Sequence, residues 1–231
     1  MTCYYEWMKS TIFTNNENTQ QEHRAFVSQN LNTLLVNLNG TIYSKQGAMA
    51  AYQGNIDFSF EGGGVNKMFK KMVTGENLSF MKCSGQGDLF LADNGSQIHI
   101  VELEDEEMTI NGPNLVAFES SLTWDIKMIK AGLMGFVAGG GLFNTTIEGS
   151  GLVAVSSWGN PFVIAVDQTT YVDISCVIAW SSALSVDVKS SFKAGALIGR
   201  GSGEAFQMAF SGQGFVVVQP GEGMLGSVPV R

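Results

Sequence analysis

The 231-residue chain is 45% hydrophobic and only 15% charged, with 28 glycines, 4 prolines and a formal net charge of -8. The glycines have no three-residue period and sit among β-branched and aromatic residues, which excludes a collagen-like or disordered chain. The acidic balance argues against a nucleic-acid partner, and no apolar run reaches the roughly 18 residues that a membrane-spanning helix needs.

Taken in order, residues 1–30 read as a variable, polar N-terminal segment and residues 31–231 as a β domain. Ala25–Val27 and Leu31–Leu38 are strand material. Asn39-Gly40 is a hairpin turn signal that would bring Thr41–Ser44 back on the preceding run. Ala48–Tyr52 follows, and Ile56–Phe60 alternates with period two. Val65–Met72 is the exception to the β pattern: Val65, Met68, Phe69 and Met72 share one helical face, with Lys67, Lys70 and Lys71 opposite. Leu78–Lys82, Asp88–Leu91 and Gln97–Val101 are predicted strands, with Asp93-Asn94-Gly95 as a turn. Glu102–Glu107 holds five acids in six positions and reads as a solvated rim, since it lacks the spaced carboxylates and loop glycine of a calcium-binding EF-hand. Met108–Ile110, Leu115–Glu119 and Leu122–Met128 continue the strands to the glycine-rich run Ala131–Phe143. Thr146–Ile147, Leu152–Ser156, Phe162–Val166, Tyr171–Ile174, Val177–Trp180, Leu184–Val188, Phe206–Phe210 and Phe215–Gln219 complete them.

One phrase recurs: Gly85-Gln86-Gly87, Gly149-Ser150-Gly151 and Gly212-Gln213-Gly214, with starts 64 and 63 residues apart and an apolar run after each. Val116–Ile126 also reads like Ile178–Val188, and Lys130-Ala131-Gly132 recurs as Lys193-Ala194-Gly195. A period near 63 is too long for a small-unit solenoid and predicts similar sheet modules around shared cores. The expected fold is therefore all-β: pseudo-repeated, antiparallel-rich sheets packed as a sandwich or barrel-like core, with minimal helix.

Chemistry-bearing groups are sparse. Cys3, Cys83 and Cys176 form no close-spaced pair, and the N-terminus shows no signal or transit pattern, so a reducing, cytoplasmic location is expected. Cys83 and Cys176 read as small buried hydrophobes. His99 has opposite parity to Ile98 and Ile100, which predicts an exposed strand face; neither it nor His23 has neighbours at metal-ligand spacing. Gly221-Glu222-Gly223-Met224-Leu225-Gly226 matches a dinucleotide glycine pattern but no βαβ unit follows it. Asp125 and Asp187 hold corresponding places, each two residues before a lysine (Lys127, Lys189), and read as surface salt links rather than an acid–base pair. Glu76 and Glu204 share a Gly-Glu phrase that Gly141-Leu142-Phe143 lacks. No catalytic, cofactor-binding or metal-ligating residue is assigned, and no cofactor.

The chain resembles the AIM24 family from roughly Leu31 to Gln219. The resemblance is carried by Gly47-Ala48-Met49, Gly75-Glu76-Asn77-Leu78-Ser79-Phe80, Gly85-Gln86-Gly87, Val116-Ala117-Phe118, Gly203-Glu204-Ala205-Phe206 and Gly212-Gln213-Gly214. Val166-Asp167 before Val177-Ile178-Ala179-Trp180 adds to it. It implies an all-β fold like that of the tryptophan RNA-binding attenuator protein, often assembled as a trimer, with no agreed catalytic residues.

Low charge and abundant glycine favour a non-catalytic, homo-oligomeric scaffold or interaction protein, a trimer by the resemblance, and leave room for a further protein partner. The alternative is a small-molecule or carbohydrate-binding module with Trp124 or Trp180 lining a pocket. Weaker readings are a carboxylate-based enzyme built on Asp125 and Asp187, nucleic-acid binding through Lys67, Lys70, Lys71 and Lys82 with Phe69 and Phe80, and membrane contact through Val65–Met72 or Ala131–Phe143.

Overall fold

The first glycine phrase lies at a bend within a sheet, where two backbones approach too closely for a side chain between them, whereas Gly151 and Gly214 are crowded by side chains. A computed structural model describes residues 25–60, 80–128, 143–190 and 206–221. The predicted Val65–Met72 helix, the Ala131–Gly141 run and the Gly75-Glu76 and Gly203-Glu204 phrases lie outside them. The strands are β1 (Phe26–Asn30), β2 (Thr33–Lys45), β3 (Met49–Phe60), β4 (Phe80–Ala92), β5 (Gln97–Asn111), β6 (Leu115–Glu119) and β7 (Thr123–Met128). They continue with β8 (Phe143–Ser157), β9 (Phe162–Val166), β10 (Thr170–Asp173), β11 (Val177–Ser181), β12 (Ser185–Ser190), β13 (Phe206–Ser211) and β14 (Gly214–Val218). Between β5 and β6, Gly112–Asn114 makes one 3-10 turn. The all-β expectation holds.

One antiparallel pairing pattern occurs three times. In the first unit, β4 lies between β2 and β3. In the second, β8 lies between β5 on one side and β6 and β7 on the other. In the third, β14 lies between β9 and β11, and β13 between β10 and β12. Each unit carries a register irregularity at the same place, between Met49 and Ala51, Leu115 and Ala117, and Val177 and Ala179. Adjacent units are stitched by short ladders: β2 to β6, with Tyr43 opposite Phe118, and β5 to β11, with Thr109 opposite Trp180.

Register and connector length together show that each unit is folded back on itself. Lys45 lies opposite Phe80, near one end of β4, while Met49 lies opposite Leu91, near the other. A flat strand would hold Phe80 and Leu91 about 36 Å apart. The chain from Lys45 to Met49 can span at most about 15 Å. So β4 doubles over, and Lys45 Nζ reaches Asp93, just beyond the far end of β4, at 2.9 Å. The bend falls at the glycines: Gly85 and Gly87 have φ of +136° and +152°. A Cβ on Gly87 would lie 2.0 Å from the Gln53 carbonyl oxygen. In the other units the outer strand breaks at this level, with Leu122 N–H donating to Glu119 O and Leu184 N–H to Ser181 O. Side-chain oxygens fill in there: Leu152 N–H donates to Glu119 Oε2 at 2.8 Å and Phe215 N–H to Ser181 Oγ at 2.9 Å.

Each folded unit encloses a core. The first holds Leu34, Val36, Leu89 and Leu91, and borrows Val116 and Ala117 from the second unit. The second holds Ile110, Phe118, Ile147 and Val153, and borrows Ile178 and Ala179 from the third. The third holds Trp180, Met208, Phe210 and Val216, all from its own unit.

Two expectations are corrected. Asn39-Gly40 is not a hairpin turn: β2 runs straight through it, paired to β4 from Thr33 opposite Ala92 to Lys45 opposite Phe80. A reversal would forfeit half that ladder, so Gly40, at φ +128°, accommodates the bend instead, and Asn39 Oδ1 accepts from Gln86 Nε2. The barrel-like alternative also fails. Among the described residues the larger, 11-stranded sheet ends at β3 and at β9 rather than closing.

Gly87→Ala is therefore expected to destabilise the fold by about 4 kcal/mol or more, because strain at positive φ adds to a backbone clash. Gly40→Ala, with nothing within 4 Å of the added Cβ, should cost only the strain, about 1–3 kcal/mol. Urea unfolding of both variants measures the difference.

Candidate functional site

The residues with catalytic chemistry do not converge. Asp125 on β7 and Asp187 on β12 are both exposed and belong to different units. Asp187 pairs with Lys189 at 2.6 Å, and this hydrogen bond holds its carboxyl below the usual range. Lys127 turns to Glu107 at 3.7 Å. These solvated links contribute little to stability, and neither carboxylate is buried as a raised-pKa general acid would be. Among the described residues no three His, Cys, Asp or Glu side chains cluster in a way that could hold a metal ion. Cys83 is fully buried in the first core, where desolvation pushes its thiol up and away from the reactive thiolate form. Cys176 is half-buried. Cys3, His23, Glu76 and Glu204 lie outside the described residues.

The acidic run is exposed except for Leu103, as expected of a solvated rim. It occupies a bulge between Leu103 and Glu106 in β5, where Asp105 takes φ +60° and donates its N–H to Ser150 Oγ at 2.9 Å. The two tryptophans singled out in the sequence stand among aromatic neighbours. Trp180 is 3% exposed and sits against Phe210, with ring centroids 5.7 Å apart. Trp124 stands in an aromatic cluster with Tyr43, Phe80 and Phe118 at the junction of the first two units. Phe80 is itself buried, so it offers no stacking face beside Lys82. Lys67, Phe69, Lys70 and Lys71 fall outside the described residues.

His99 differs from expectation. It is half-buried rather than exposed, and its Nε2 lies 2.8 Å from the hydroxyl of fully buried Ser157. That contact draws the ring inward and desolvates it, lowering its pKa.

A polar clasp joins the units where alternating patterns gave no warning of one. The Asp93 carboxylate accepts from Lys45 Nζ at 2.9 and 3.0 Å and from Ser156 Oγ at 2.6 Å. Lys45 Nζ also donates to Pro113 O at 2.7 Å. Asn114 Nδ2 donates to Ser156 O, and Gln219 accepts from Trp158 N–H while donating to Ser175 O. Every partner in this chain is a main-chain group or a neighbouring side chain, so the clasp reads as structural.

What remains is at the sheet ends. Met49, Tyr52, Phe162, Val163 and Tyr171 are large apolar residues at 40–65% exposure. They lie on β3, β9 and β10. β3 and β9 are the two ends of the larger sheet, and β10 is an end of the smaller one. Sequence reading missed them because apolar strand residues look alike whether the strand has one neighbour or two. A signal existed: Met49-Ala50-Ala51-Tyr52 stands in the first unit where Leu115-Val116-Ala117-Phe118 and Val177-Ile178-Ala179-Trp180 stand in the others.

A family model described as "Mitochondrial biogenesis AIM24" matches residues 25–221. The chain belongs to the AIM24 family. Among solved structures it is similar to protein SPYM3_0169 from Streptococcus pyogenes, with 26% identity and a TM-score of 0.66 over 84% of this chain and 91% of that one. No curated protein matches. The AIM24 match and this neighbour support the fold and assign no molecular activity. Among the described residues no helix is long and apolar enough to cross a membrane.

Two outcomes follow. His99 is lowered by burial, so its neutral form is the one the fold favours. The unfolded chain binds that proton more readily, and the stability linked to His99 is complete above the unfolded pKa of about 6.5. It is lost as pH falls below that value toward the folded pKa. His99→Gln should flatten this part of the stability–pH curve, and an NMR titration should place the His99 midpoint below that of a model peptide. Asp93→Ala should cost about 2–3 kcal/mol in chemical denaturation, since it removes the acceptor that Lys45 Nζ and the Ser156 hydroxyl share. Ser156→Ala should cost about 1 kcal/mol.

Proposed function

We propose that this AIM24-family chain is a non-catalytic scaffold or interaction protein that works as a homo-oligomer. The observation that carries this reading is the pair of open sheet ends with exposed Tyr52 and Tyr171. An unpaired edge carrying apolar side chains is a template for another strand and is rarely left bare in a protein that acts alone. Low charge content, 15% of residues, supports the same reading, and the family resemblance favours a trimer. The three pairing units are most simply internal copies of one module. Cys83 and Cys176 form no disulfide with one another, which fits a cytoplasmic setting.

Light scattering across a wide dilution range tests this. The expected result is a persistent mass near three times 24.8 kDa. A monomer at all concentrations overturns the scaffold reading, and a mass that rises only on adding liposomes would point to membrane contact instead.

A further inference from the structure

The junctions inside the chain show what the open ends lack. At the first junction, Ile42, Tyr43 and Ser44 of β2 pair with Glu119, Phe118 and Ala117 of β6. At the second, Met108, Thr109 and Ile110 of β5 pair with Ser181, Trp180 and Ala179 of β11. Counting from the glycine phrases through the ladders, Tyr43, Thr109 and Tyr171 hold one position: their partners on the central strands are Lys82, Thr146 and Ala209. Phe118, Trp180 and Tyr52 hold another, opposite Val153, Val216 and Leu89. Each junction thus joins the first strand of one unit to the second strand of the next. The third unit's first strand and the first unit's second strand are the two left over.

Burial follows the same rule. Phe118 and Trp180 are 0% and 3% exposed, whereas their counterpart Tyr52 is 47% exposed. Val116, Ala117, Ile178 and Ala179 are buried in the preceding unit's core, whereas their counterparts Ala50 and Ala51 are exposed. Among the described residues, the third core is the one that borrows nothing from another unit. At the first junction, Tyr43 stacks on Phe118 at 5.3 Å, with Trp124 6.0 Å from Phe118. Two thirds of that arrangement already stand on the open edge: Tyr52 and Phe58, the counterparts of Phe118 and Trp124, meet edge-on at 5.1 Å. The missing member is a tyrosine at the Tyr43 position, and Tyr171 is one.

We infer that the open edges join head to tail between copies, β10 of one chain pairing antiparallel with β3 of the next, Thr170 opposite Gln53, Tyr171 opposite Tyr52 and Val172 opposite Ala51. This rests on the homo-oligomer reading above and specifies its interface. Tyr171 then packs on the Tyr52–Phe58 pair, and Ala50 and Ala51 cover the third core. Such a contact is heterologous: each copy offers a different edge to each neighbour, and repetition either closes a ring or runs on.

Two variants test it in the full-length chain. Tyr52→Lys and Tyr171→Lys each place a charge in every junction, so each alone is expected to be monomeric, with native-like circular dichroism. Mixed in equal amounts they retain one intact β3 edge and one intact β10 edge between them. They should form a capped one-to-one dimer, at twice 24.8 kDa. Homodimers of either variant, or a mixture that stays monomeric while wild type assembles, overturn the pairing.

Crosslinking keeps the test independent of those variants. Antiparallel partners have Cα atoms about 4.5–5.5 Å apart, within disulfide range. Gln53→Cys with Thr170→Cys should therefore give covalent multimers on a non-reducing denaturing gel, which neither single variant nor wild type gives. Asn55→Cys with Thr170→Cys, two positions out of register, should crosslink at least tenfold less. Equal crosslinking by both pairs, or a disulfide formed within one chain, overturns the register. A monomeric wild type fails the scaffold reading itself, whereas an assembled wild type with no specific crosslink fails only this interface.

Discussion

The first unit of this fold depends on a backbone-to-backbone approach that leaves no room for a side chain. At the waist of the first unit, the Gln53 carbonyl occupies the space a Cβ on Gly87 would need, and the Asn55 carbonyl does the same at Gly85. With glycine there, β4 can double over while keeping its ladders to β2 and β3 on both sides of the bend. The doubling turns a three-stranded sheet into the two walls of a small core. Without it, the three-residue links from β2 to β3, β5 to β6 and β10 to β11 could not be made.

The three waists reach this result by different local chemistry. The first keeps the outer strand continuous, with backbone bonds throughout. The second and third break that strand and return a side-chain oxygen, from Glu119 or Ser181, to an amide on the central strand. A buried amide must find an acceptor, so the break and the acceptor have to appear together. At the first waist the backbone approach admits only glycine, whereas at the other two the atoms crowding Gly151 and Gly214 are side chains, among them the Glu119 and Ser181 oxygens that satisfy the amides.

Between units the balance shifts from backbone geometry to shared cores. Each of the first two cores is completed by residues from the following unit, and the Lys45–Asp93–Ser156 clasp ties the first unit to the second. A linear array built this way has a built-in asymmetry. Its last core lacks a donor and its first unit has donor residues with no core to enter. Among the described residues, β3 and β10 are thus left with an edge that no other unit covers.

Much of this was legible before any coordinates. Period-two alternation marked most strands, the recurrence of Gly-x-Gly near 63 residues marked the modules, and Asp93-Asn94-Gly95 marked a turn whose Asn94 and Gly95 do adopt positive φ. These are local properties, set by what a residue can do to its own backbone. Asn39-Gly40 was misread because the same dihedral freedom that closes a hairpin also permits a bend within a long strand, and only the partner strand decides between them. His99 was misplaced because alternation reports which side of the strand a residue takes, not whether a buried hydroxyl such as Ser157 waits on that side. The exposed edges were invisible for the same reason. Met49-Ala50-Ala51-Tyr52 and its two counterparts are all apolar strand segments, and the one trace of the difference in coverage is Ala50 in place of Val116 and Ile178. Sequence alone determined the all-β class and the glycines at which β4 bends, because strand propensity and steric constraint are local. Only the tertiary structure decided which of three similar strands is left at the end of the array, because coverage depends on residues far away in the chain.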